Sequence, residues 1–333
     1  MSVHPRLAAL VLAGLLLTAC GDDGSGGSGS DDSGEAPATE SAGPTATPEP
    51  TAVWVGSSET SKLLKVDPAT RAVEEFSVAE GPWKVEYVDG TLWVRTPQAQ
   101  RIDPATGQPT DVLFDEVYAH DFLVDGDGVW MSLRDTPKLV RYDLESGQPV
   151  DEVTLPTEDL NLEHMALHDG SIVGANFYDG TAVRIDLENG AVARTYDPDD
   201  VIWDIELVGD SLWVAHYTGL VELDAESFEV RRTVQGVDAA YTLDADETGR
   251  LWVGLDEMVG TISESGQLEP VATVSDGSGA GNVDDIEVSE GSAWITHEDV
   301  GLVRLDRETS QLDEPIPLPG VGTFAPTFDI ALQ

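Results

Sequence analysis

Tryptophan recurs along this chain about every forty residues, each time inside the same short hydrophobic phrase. The phrase reads Leu-Trp-Val or a close variant, and the steps between successive copies are 39, 37, 83, 39 and 42 residues. The long step contains a seventh copy, in which Ile172 and Val173 replace the Leu-Trp pair. A fixed period in this range indicates a repeat array, whose units bury their hydrophobic faces against one another. The tryptophans of the phrase are Trp54, Trp93, Trp130, Trp213, Trp252 and Trp294.

One repeat, 119–155, shows what each unit contains. Apolar and polar residues alternate with a period of two, and Gly, Asp and Pro separate the alternating runs, which is typical of strands joined by tight turns. No helical period is sustained after residue 50. Four strands per unit and a period near forty predict an all-β, seven-bladed β-propeller of four-stranded blades. The strands predicted in this repeat are His120–Val124, Val129–Leu133, Leu139–Asp143 and Pro149–Leu155.

The two ends of the repeat region complement each other. The region beginning at 51 opens with a second strand and lacks a first, whereas 324–333 resemble a first strand. We therefore expect 324–333 to supply the innermost strand of a blade whose other strands lie in 51–80. Such sharing closes the ring and pairs strand edges that would otherwise be exposed. The whole of 51–333 is then one propeller domain.

Repetition also separates structural residues from candidate functional ones. The tryptophans share one register on the second strand, where a large ring fills the space between adjacent sheets, so we predict that they pack in the core. An Asp follows the third strand in most copies and begins a turn. We predict that it accepts hydrogen bonds from backbone amides rather than binding a ligand. These turn residues are Asp67, Asp103, Asp143, Asp186 and Asp306.

The first fifty residues differ in composition from the repeats. A short basic start and an eleven-residue apolar run, 7–17, predict a secretory signal over 1–19. The sequence Leu-Thr-Ala-Cys at 17–20 resembles the lipobox of bacterial lipoproteins, which implies cleavage before Cys20 and a diacylglyceryl group on its thiol. Residues 20–50 are acidic and rich in Gly, Ser, Pro and Thr, which predicts a flexible tether. The expected location is the extracytoplasmic face of the cell membrane, with a lipid anchor.

The chain is strongly acidic. It has 63 Asp and Glu against 17 Lys and Arg, a formal net charge of −46. A polyanion repels nucleic acid and anionic lipid, so we expect no nucleic-acid partner and membrane contact through the anchor only. This negative charge either reflects a solvated acidic surface or creates a field that attracts cations or a basic partner.

The innermost strands of a propeller line its channel and all begin at one face of the ring, here called the mouth. Their first position lies about ten residues before the Trp register, and its residue type differs between blades. Because packing of equivalent blades does not dictate such residues, they are candidates for a ligand site. The first position holds Trp83, His120, Glu163, Trp203, Tyr241, Asp284 and Phe328. The second holds Lys84, Asp121, His164, Asp204, Thr242, Asp285 and Asp329.

Aromatic rings and carboxylates dominate the mouth. Trp83 and Trp203 are the only tryptophans outside the packing register, and we predict that they belong to the ligand site rather than to the core. Aromatic faces rimmed by carboxylates suit sugars, aromatic groups or cations. The predicted ligand-binding residues are Trp83, His120, Asp121, Glu163, His164, Trp203, Asp204, Tyr241, Asp284, Asp285 and Phe328.

Four histidines are expected to project to the mouth, either from the inner strands or from the loops after the second strands. Imidazole mixed with carboxylate suits Zn²⁺, Mn²⁺ or Mg²⁺, so a divalent metal ion is a candidate cofactor. The candidate metal ligands are His120, Glu163, His164 and Asp284. The candidate catalytic bases are His120, His164, His216 and His297.

The phrase Asp-Gly-x-Leu-Trp-Val, followed after about eight residues by Arg-Ile-Asp-Pro-x-Thr-Gly, has its best copies at 89–107, 125–147 and 209–224. It resembles the repeat of the streptogramin-lyase-like and YVTN-repeat bacterial propellers, and the likeness extends over 51–333. For the lyases, the resemblance implies a metal-assisted base that opens a cyclic depsipeptide. In those enzymes the second strand continues aromatic-Thr-Glu, and this chain approaches that pattern only at Thr296, His297 and Glu298.

Three hypotheses of function follow. The leading one is a lipid-anchored, non-enzymatic binding module that presents its mouth to a small ligand or a partner protein, because no complete catalytic motif accompanies the aromatic and acidic residues. The alternative is a metal-dependent lyase or hydrolase with its site at the mouth. The third is a structural partner within a cell-envelope complex.

Overall fold

The computed structural model describes residues 48–333, except 79, 112–117, 135, 158–159, 177–178, 276, 278–280 and 322–327. The predicted signal at 1–19, Cys20 and the predicted tether as far as residue 47 lie outside the described residues. Among the residues that are described, no helix has the length and apolar character needed to cross a membrane.

The described residues form a ring of seven four-stranded antiparallel sheets, which confirms the predicted all-β, seven-bladed propeller. Blade I contains β1 (Val53–Ser57), β2 (Lys62–Val66), β3 (Val73–Ser77) and the C-terminal β28 (Phe328–Leu332). Blade II contains β4 (Lys84–Val88), β5 (Thr91–Arg95), β6 (Ala99–Asp103) and β7 (Gln108–Asp111). Blade III contains β8 (Ala119–Asp125), β9 (Gly128–Leu133), β10 (Lys138–Asp143) and β11 (Pro149–Thr154).

The remaining four blades repeat this order along the chain. Blade IV contains β12 (Leu162–His168), β13 (Ser171–Asn176), β14 (Thr181–Asp186) and β15 (Val192–Tyr196). Blade V contains β16 (Ile202–Val208), β17 (Ser211–His216), β18 (Gly219–Asp224) and β19 (Val230–Thr233). Blade VI contains β20 (Thr242–Ala245), β21 (Leu251–Gly254), β22 (Met258–Ile262) and β23 (Leu268–Thr273). Blade VII contains β24 (Val283–Val288), β25 (Ser292–His297), β26 (Gly301–Asp306) and β27 (Gln311–Leu312).

The C-terminal strand closes the ring as expected. Strand β28 pairs antiparallel with β1, in a register that joins Phe328 to Ser57 and Leu332 to Val53. It is the innermost strand of blade I, whose order is β28-β1-β2-β3. The indole Nε1 of Trp54 donates to Oε1 of Gln333 at 2.9 Å, which adds a side-chain contact to this closure. The described part of the closing strand begins at Phe328, since 324–327 lie outside the described residues.

The repeated tryptophans pack in the core, as predicted. Each is 6% exposed or less, and Val173, which takes their place in blade IV, is fully buried. Their rings contact the neighbouring blade: the ring of Trp93 in blade II lies 5.9 Å from that of Phe122 in blade III. The large buried rings therefore fill the gaps between adjacent sheets.

The predicted turn residues also behave as expected. Oδ1 of Asp67 accepts hydrogen bonds from the backbone amides of Ala69 and Thr70 at 2.9 and 2.8 Å. Asp103, Asp143, Asp186 and Asp306 accept equivalent bonds from amides two or three residues ahead. These bonds favour the charged carboxylate, and the Thr70 amide lowers the pKa of Asp67.

Strand direction gives the ring two distinct faces. The inner strands begin at the mouth, and the loops after each second strand return to it. The opposite face, here called the turn face, carries the turns from first to second and from third to fourth strand. Leu332 ends its inner strand at the turn face and pairs with Val53. The chain therefore enters the propeller at the turn face.

Candidate functional site at the mouth of the propeller

Separate β-bulges position several of the variable residues at the mouth. The ladder between first and second strands shifts register between Ala119 and Asp121, between Ile202 and Asp204, and between Val283 and Asp285. The extra residues are His120, Trp203 and Asp284, and the wider shift in blade IV covers Glu163 and His164. A bulge leaves its extra residue outside the regular pairing and re-aims its side chain, and bulges are over-represented next to active sites.

The second inner-strand position has a different role, because its side chains link neighbouring blades. Asp204 accepts hydrogen bonds from the amide of Ile205 and, across the gap to blade VI, from that of Leu243, both at 2.8 Å. Asp285 likewise accepts hydrogen bonds from the amide of Ile286 at 2.9 Å and, across the gap to blade I, from that of Ile330 at 2.7 Å. All seven residues of this position are 4% exposed or less. We call them the inter-blade ring: Lys84, Asp121, His164, Asp204, Thr242, Asp285 and Asp329.

Lys84 contributes a positive charge to the inter-blade ring, in contrast to the carboxylates of its aspartates. Its Nζ donates to Oδ1 of Asp121 at 2.9 Å and to the carbonyl of Phe122 at 2.7 Å. Burial by itself lowers the pKa of Lys84, but the Asp121 and Glu86 carboxylates outweigh burial and hold that pKa above its usual value. Asp121, Asp204 and Asp285, which the sequence placed among the ligand-binding residues, therefore direct their carboxylates to groups of the protein itself.

The four candidate histidines each lie beside a different partner. Nδ1 of His120 is 3.6 Å from Oε1 of Glu163, and Nδ1 of His216 is 3.4 Å from Oδ2 of Asp200. Nδ1 of His297 accepts a hydrogen bond from the Asp299 amide at 3.1 Å.

His164 is the most enclosed of the four. Its Nδ1 is 3.7 Å from Oδ1 of Asp204, and the side chain is 1% exposed. Burial lowers its pKa to about 3, so the imidazole is neutral at neutral pH. Its Nε2 has no hydrogen-bond partner among the described residues.

The candidate metal ligands do not form a coordination group. Across the described parts of the chain, no cluster of three or more His, Cys, Asp or Glu side chains has an arrangement that suits a metal ion. His120 and Glu163 lie together, whereas Asp284 is on blade VII. Among the described residues, His120, Glu163, His164 and Asp284 therefore do not form a metal site.

The mouth of blades V to VII combines aromatic rings with carboxylates. The rings of Trp203 and Tyr241 lie 5.8 Å apart at an angle of 50°. The Tyr241 hydroxyl donates to Oδ1 of Asp256 at 2.9 Å, and burial together with that carboxylate raises the pKa of Tyr241. Tyr217, on the loop after β17, is 57% exposed. An aromatic surface with acidic groups beside it is thus open at this side of the mouth.

Asp284 supplies a further carboxylate to this sector. It is 9% exposed, and its Oδ2 has no hydrogen-bond partner among the described residues. Burial, followed by the Glu298 carboxylate, raises the pKa of Asp284 well above its usual value. Glu298 also contributes to the pKa shift of Tyr241, so it lies within electrostatic range of both residues. We call this group the acidic aromatic sector: Trp203, Tyr217, Tyr241, Asp256, Asp284 and Glu298.

Two other predicted ligand residues occupy different surroundings. Trp83 is partly exposed, and the guanidinium of Arg95 lies 5.7 Å from the centre of its ring. Phe328 departs from the prediction, because its ring is fully buried in the core cluster that contains Val53 and Ile330. No bulge interrupts the pairing of β28 with β1, so Phe328 stays in the regular ladder opposite Ser57.

Two members of the acidic aromatic sector, Tyr217 and Asp256, were not predicted from the sequence. Both lie four residues after a Trp of the packing register, as Glu298 does. That position begins the loop that returns to the mouth after each second strand. Like the first inner-strand position, this position varies between blades, and that variation identifies Tyr217, Asp256 and Glu298 together.

Solved structures share this fold at low sequence identity. The WD40 β-propeller domain of Doa1 is 13% identical with a TM-score of 0.60, and the match covers 79% of this chain and 95% of that domain. The computationally designed protein Ika8 is also 13% identical with a TM-score of 0.60, over 83% of this chain and 88% of the other. The WD40 domain of Pan2 from Neurospora crassa is 13% identical with a TM-score of 0.57, over 76% and 86%. These likenesses support the β-propeller fold.

No protein-family model matches the chain, and no curated protein matches it either. Function therefore has to be argued from the mouth itself.

Proposed function

We propose that the chain is a binding module whose mouth takes a ligand with a cationic group, such as an ammonium or guanidinium. The observation that carries the proposal is the buried Oδ2 of Asp284, which has no hydrogen-bond partner among the described residues. The Asp284 carboxyl accepts a hydrogen bond from the Phe328 amide, but a buried oxygen left without a partner costs free energy. A cation beside Asp284 supplies the missing partner.

The neighbouring side chains suit the same ligand. Tyr241 and Trp203 offer ring faces, and a cation gains about 0.5–2 kcal/mol over such a face. Asp256 and Glu298 add negative charge at the rim, and the net charge of −46 attracts cations from a distance. Since a bound cation favours the charged form of Asp284, binding should strengthen as pH rises through the raised pKa of that carboxyl.

Calorimetric titration with arginine, tetramethylammonium and a neutral disaccharide tests this proposal. The two cations should bind, and Asp284→Asn should weaken their binding about ten-fold or more, as expected for a lost charged contact. The matched control is Asp210→Asn, an exposed acid on the turn face, which should change nothing. Binding of the disaccharide alone, with equal affinity in both variants, would contradict a cationic ligand.

We further propose that Cys20 carries a lipid and that 20–50 tether the propeller outside the cytoplasmic membrane. The sequence Leu-Thr-Ala-Cys at 17–20 and the composition of the tether support this. Because the chain enters at the turn face, the mouth would point away from the bilayer. Cys20→Ala should release the protein into the medium or leave an uncleaved precursor. Normally processed, membrane-bound material from that variant would refute the anchor.

The alternative, a metal-dependent lyase or hydrolase, has less support from the geometry. His120 and His164 both lie near Glu163, but no group of three or more potential ligands among the described residues is arranged to hold a metal ion. Elemental analysis of the purified protein separates the two proposals. Stoichiometric metal that is lost in His120→Ala would favour the enzyme over the binding module.

A further inference from the structure

A cluster of hydrogen-bond donors lies on the turn face of blade VII, far from the mouth. It is formed by the turn between β24 and β25 and receives the carboxylate of Glu49, a residue that precedes the propeller. The Gly291 amide donates to Oε1 of Glu49 at 2.8 Å, and Oγ of Ser292 lies 3.0 Å from Oε2. Oγ of Ser289 is 3.1 Å from Oε1 of Glu49 and 3.0 Å from the carbonyl oxygen of Ser292. The Ser289 hydroxyl has one proton, so these two oxygens compete for it.

The donors belong to a preformed part of the propeller. Ser289 and Ser292 are 1% and 0% exposed, and they bond to each other across the turn. Nη2 of Arg304, on β26, lies 3.7 Å from Oε2 of Glu49 and adds positive charge. Charged acceptors form stronger hydrogen bonds than neutral ones, so this arrangement selects a carboxylate over an amide.

The surroundings leave space for more than one side chain. Glu49 lies in an open cavity of about 580 Å³ between blades VI and VII. Its lining contains both arginines and acidic residues: Arg250, Arg304, Arg307, Asp246, Glu290, Asp306 and Glu308. Nη2 and Nη1 of Arg307 lie 2.7 and 2.9 Å from carboxylate oxygens of Asp246 and Glu247. Nη2 of Arg304 lies 3.7 Å from Oε2 of Glu49, and its Nη1 lies 3.7 Å from Oδ2 of Asp313. Glu49 belongs to no strand, and its side chain is 47% exposed. It can therefore leave without disrupting a sheet.

We propose that Ser289, Gly291, Ser292 and Arg304 form a carboxylate-binding site, filled in the free protein by Glu49 and open to a glutamate side chain of an acidic peptide when Glu49 leaves. In the filled state 48–50 are held against blade VII, on the face opposite the mouth. An acidic peptide competes with that attachment. This site is independent of the ligand at the mouth.

Exchange of the Gly291 amide proton, followed by NMR, tests occupation by Glu49. Glu49→Ala removes the acceptor, so exchange should accelerate about ten-fold or more, as expected for loss of a bond to a charged group. Glu59→Ala, an exposed acid on the mouth side of blade I, is the matched control and should leave exchange unchanged. Equal exchange in both variants, with normal melting curves, overturns the proposal.

Titration with N-acetylglutamate amide tests binding in trans. At physiological salt the probe should shift the Gly291 amide resonance of Glu49→Ala, and binding to the unaltered chain should be at least about ten-fold weaker, because an attached competitor has a high effective concentration. Adding Arg304→Gln to Glu49→Ala should abolish the shift, and N-acetylglutamine amide should not produce it. Failure of Glu49→Ala to bind the probe, or equal binding of the glutamine analogue, refutes a carboxylate site.

Discussion

Single residues at the mouth divide into those that hold the ring together and those that are free to meet a ligand. Adjacent positions on one strand can have opposite roles: Asp285 accepts amide protons of two blades, whereas Asp284 beside it has an oxygen without a partner in the described structure. The bulge between Val283 and Asp285 makes this possible, because it takes Asp284 out of the regular ladder.

The tryptophans of the packing register should contribute more to stability than the mouth tryptophans Trp83 and Trp203. Trp93→Ala should lower the free energy of unfolding by about 3–5 kcal/mol, because it removes a fully buried ring. Trp203→Ala, at a partly exposed position, should cost less than half as much. Urea unfolding of both variants gives the comparison. Equal losses would place Trp203 in the core rather than in the ligand site.

His164 should make stability depend on pH. Its pKa is about 3 in the folded chain against 6.5 as the ordinary value, so the unfolded chain binds a proton first as pH falls. The free energy of unfolding should therefore drop by about 1.4 kcal/mol per pH unit from pH 6.5 towards 3 through this residue alone. His164→Asn should show a shallower decline than the unaltered chain when unfolding is measured at pH 7, 6 and 5. Parallel curves would contradict the buried, neutral imidazole.

At the scale of the elements, inner strands are joined by carboxylates as well as by packing. Asp204→Ala should leave the amides of Ile205 and Leu243 buried without their acceptor, at a cost of at least about 2 kcal/mol. Asp210→Ala, on an exposed turn of the same blade, provides the baseline. Chemical denaturation measures both, and a cost for Asp204→Ala no larger than the baseline would rule out a structural role.

Strand order, closure, the buried tryptophans and the turn aspartates could all be predicted, because each rests on a local pattern repeated around the ring. The inter-blade ring could not. Whether Asp204 faces a ligand or the protein depends on the amide of Leu243, 39 residues away on the next blade, and no local pattern records that contact. The burial of Phe328 was missed for a similar reason, because the bulge that takes Trp203 out of the regular ladder is absent from blade I. Glu49 reaches its partners across more than 240 residues.

At the scale of the whole molecule, stability should depend on the closing strand. Deleting 324–333 removes the ladder between β28 and β1 and exposes the edge of β1, so cooperative unfolding should be lost. Thermal unfolding followed by calorimetry detects this.

A circular permutant supplies the control for that deletion. Residue 333 lies beside Thr51, whose hydroxyl donates to the Gln333 carbonyl at 3.0 Å. Placing 324–333 directly before 51 should therefore form a hairpin and restore the cooperative transition. A deletion variant that melts as sharply as the full chain would show that the ring does not need β28.

The pairing of β28 with β1 also sets an order of events during synthesis. Strand β1 is made before its inner partner, because β28 follows the strands of blades II to VII in the chain. Blades II to VII can form as they emerge, each from one continuous stretch of chain, whereas blade I keeps an unpaired edge until β28 has been made. During that interval the nascent chain offers β1 to any other strand nearby, so chaperone capture of nascent chains should centre on blade I.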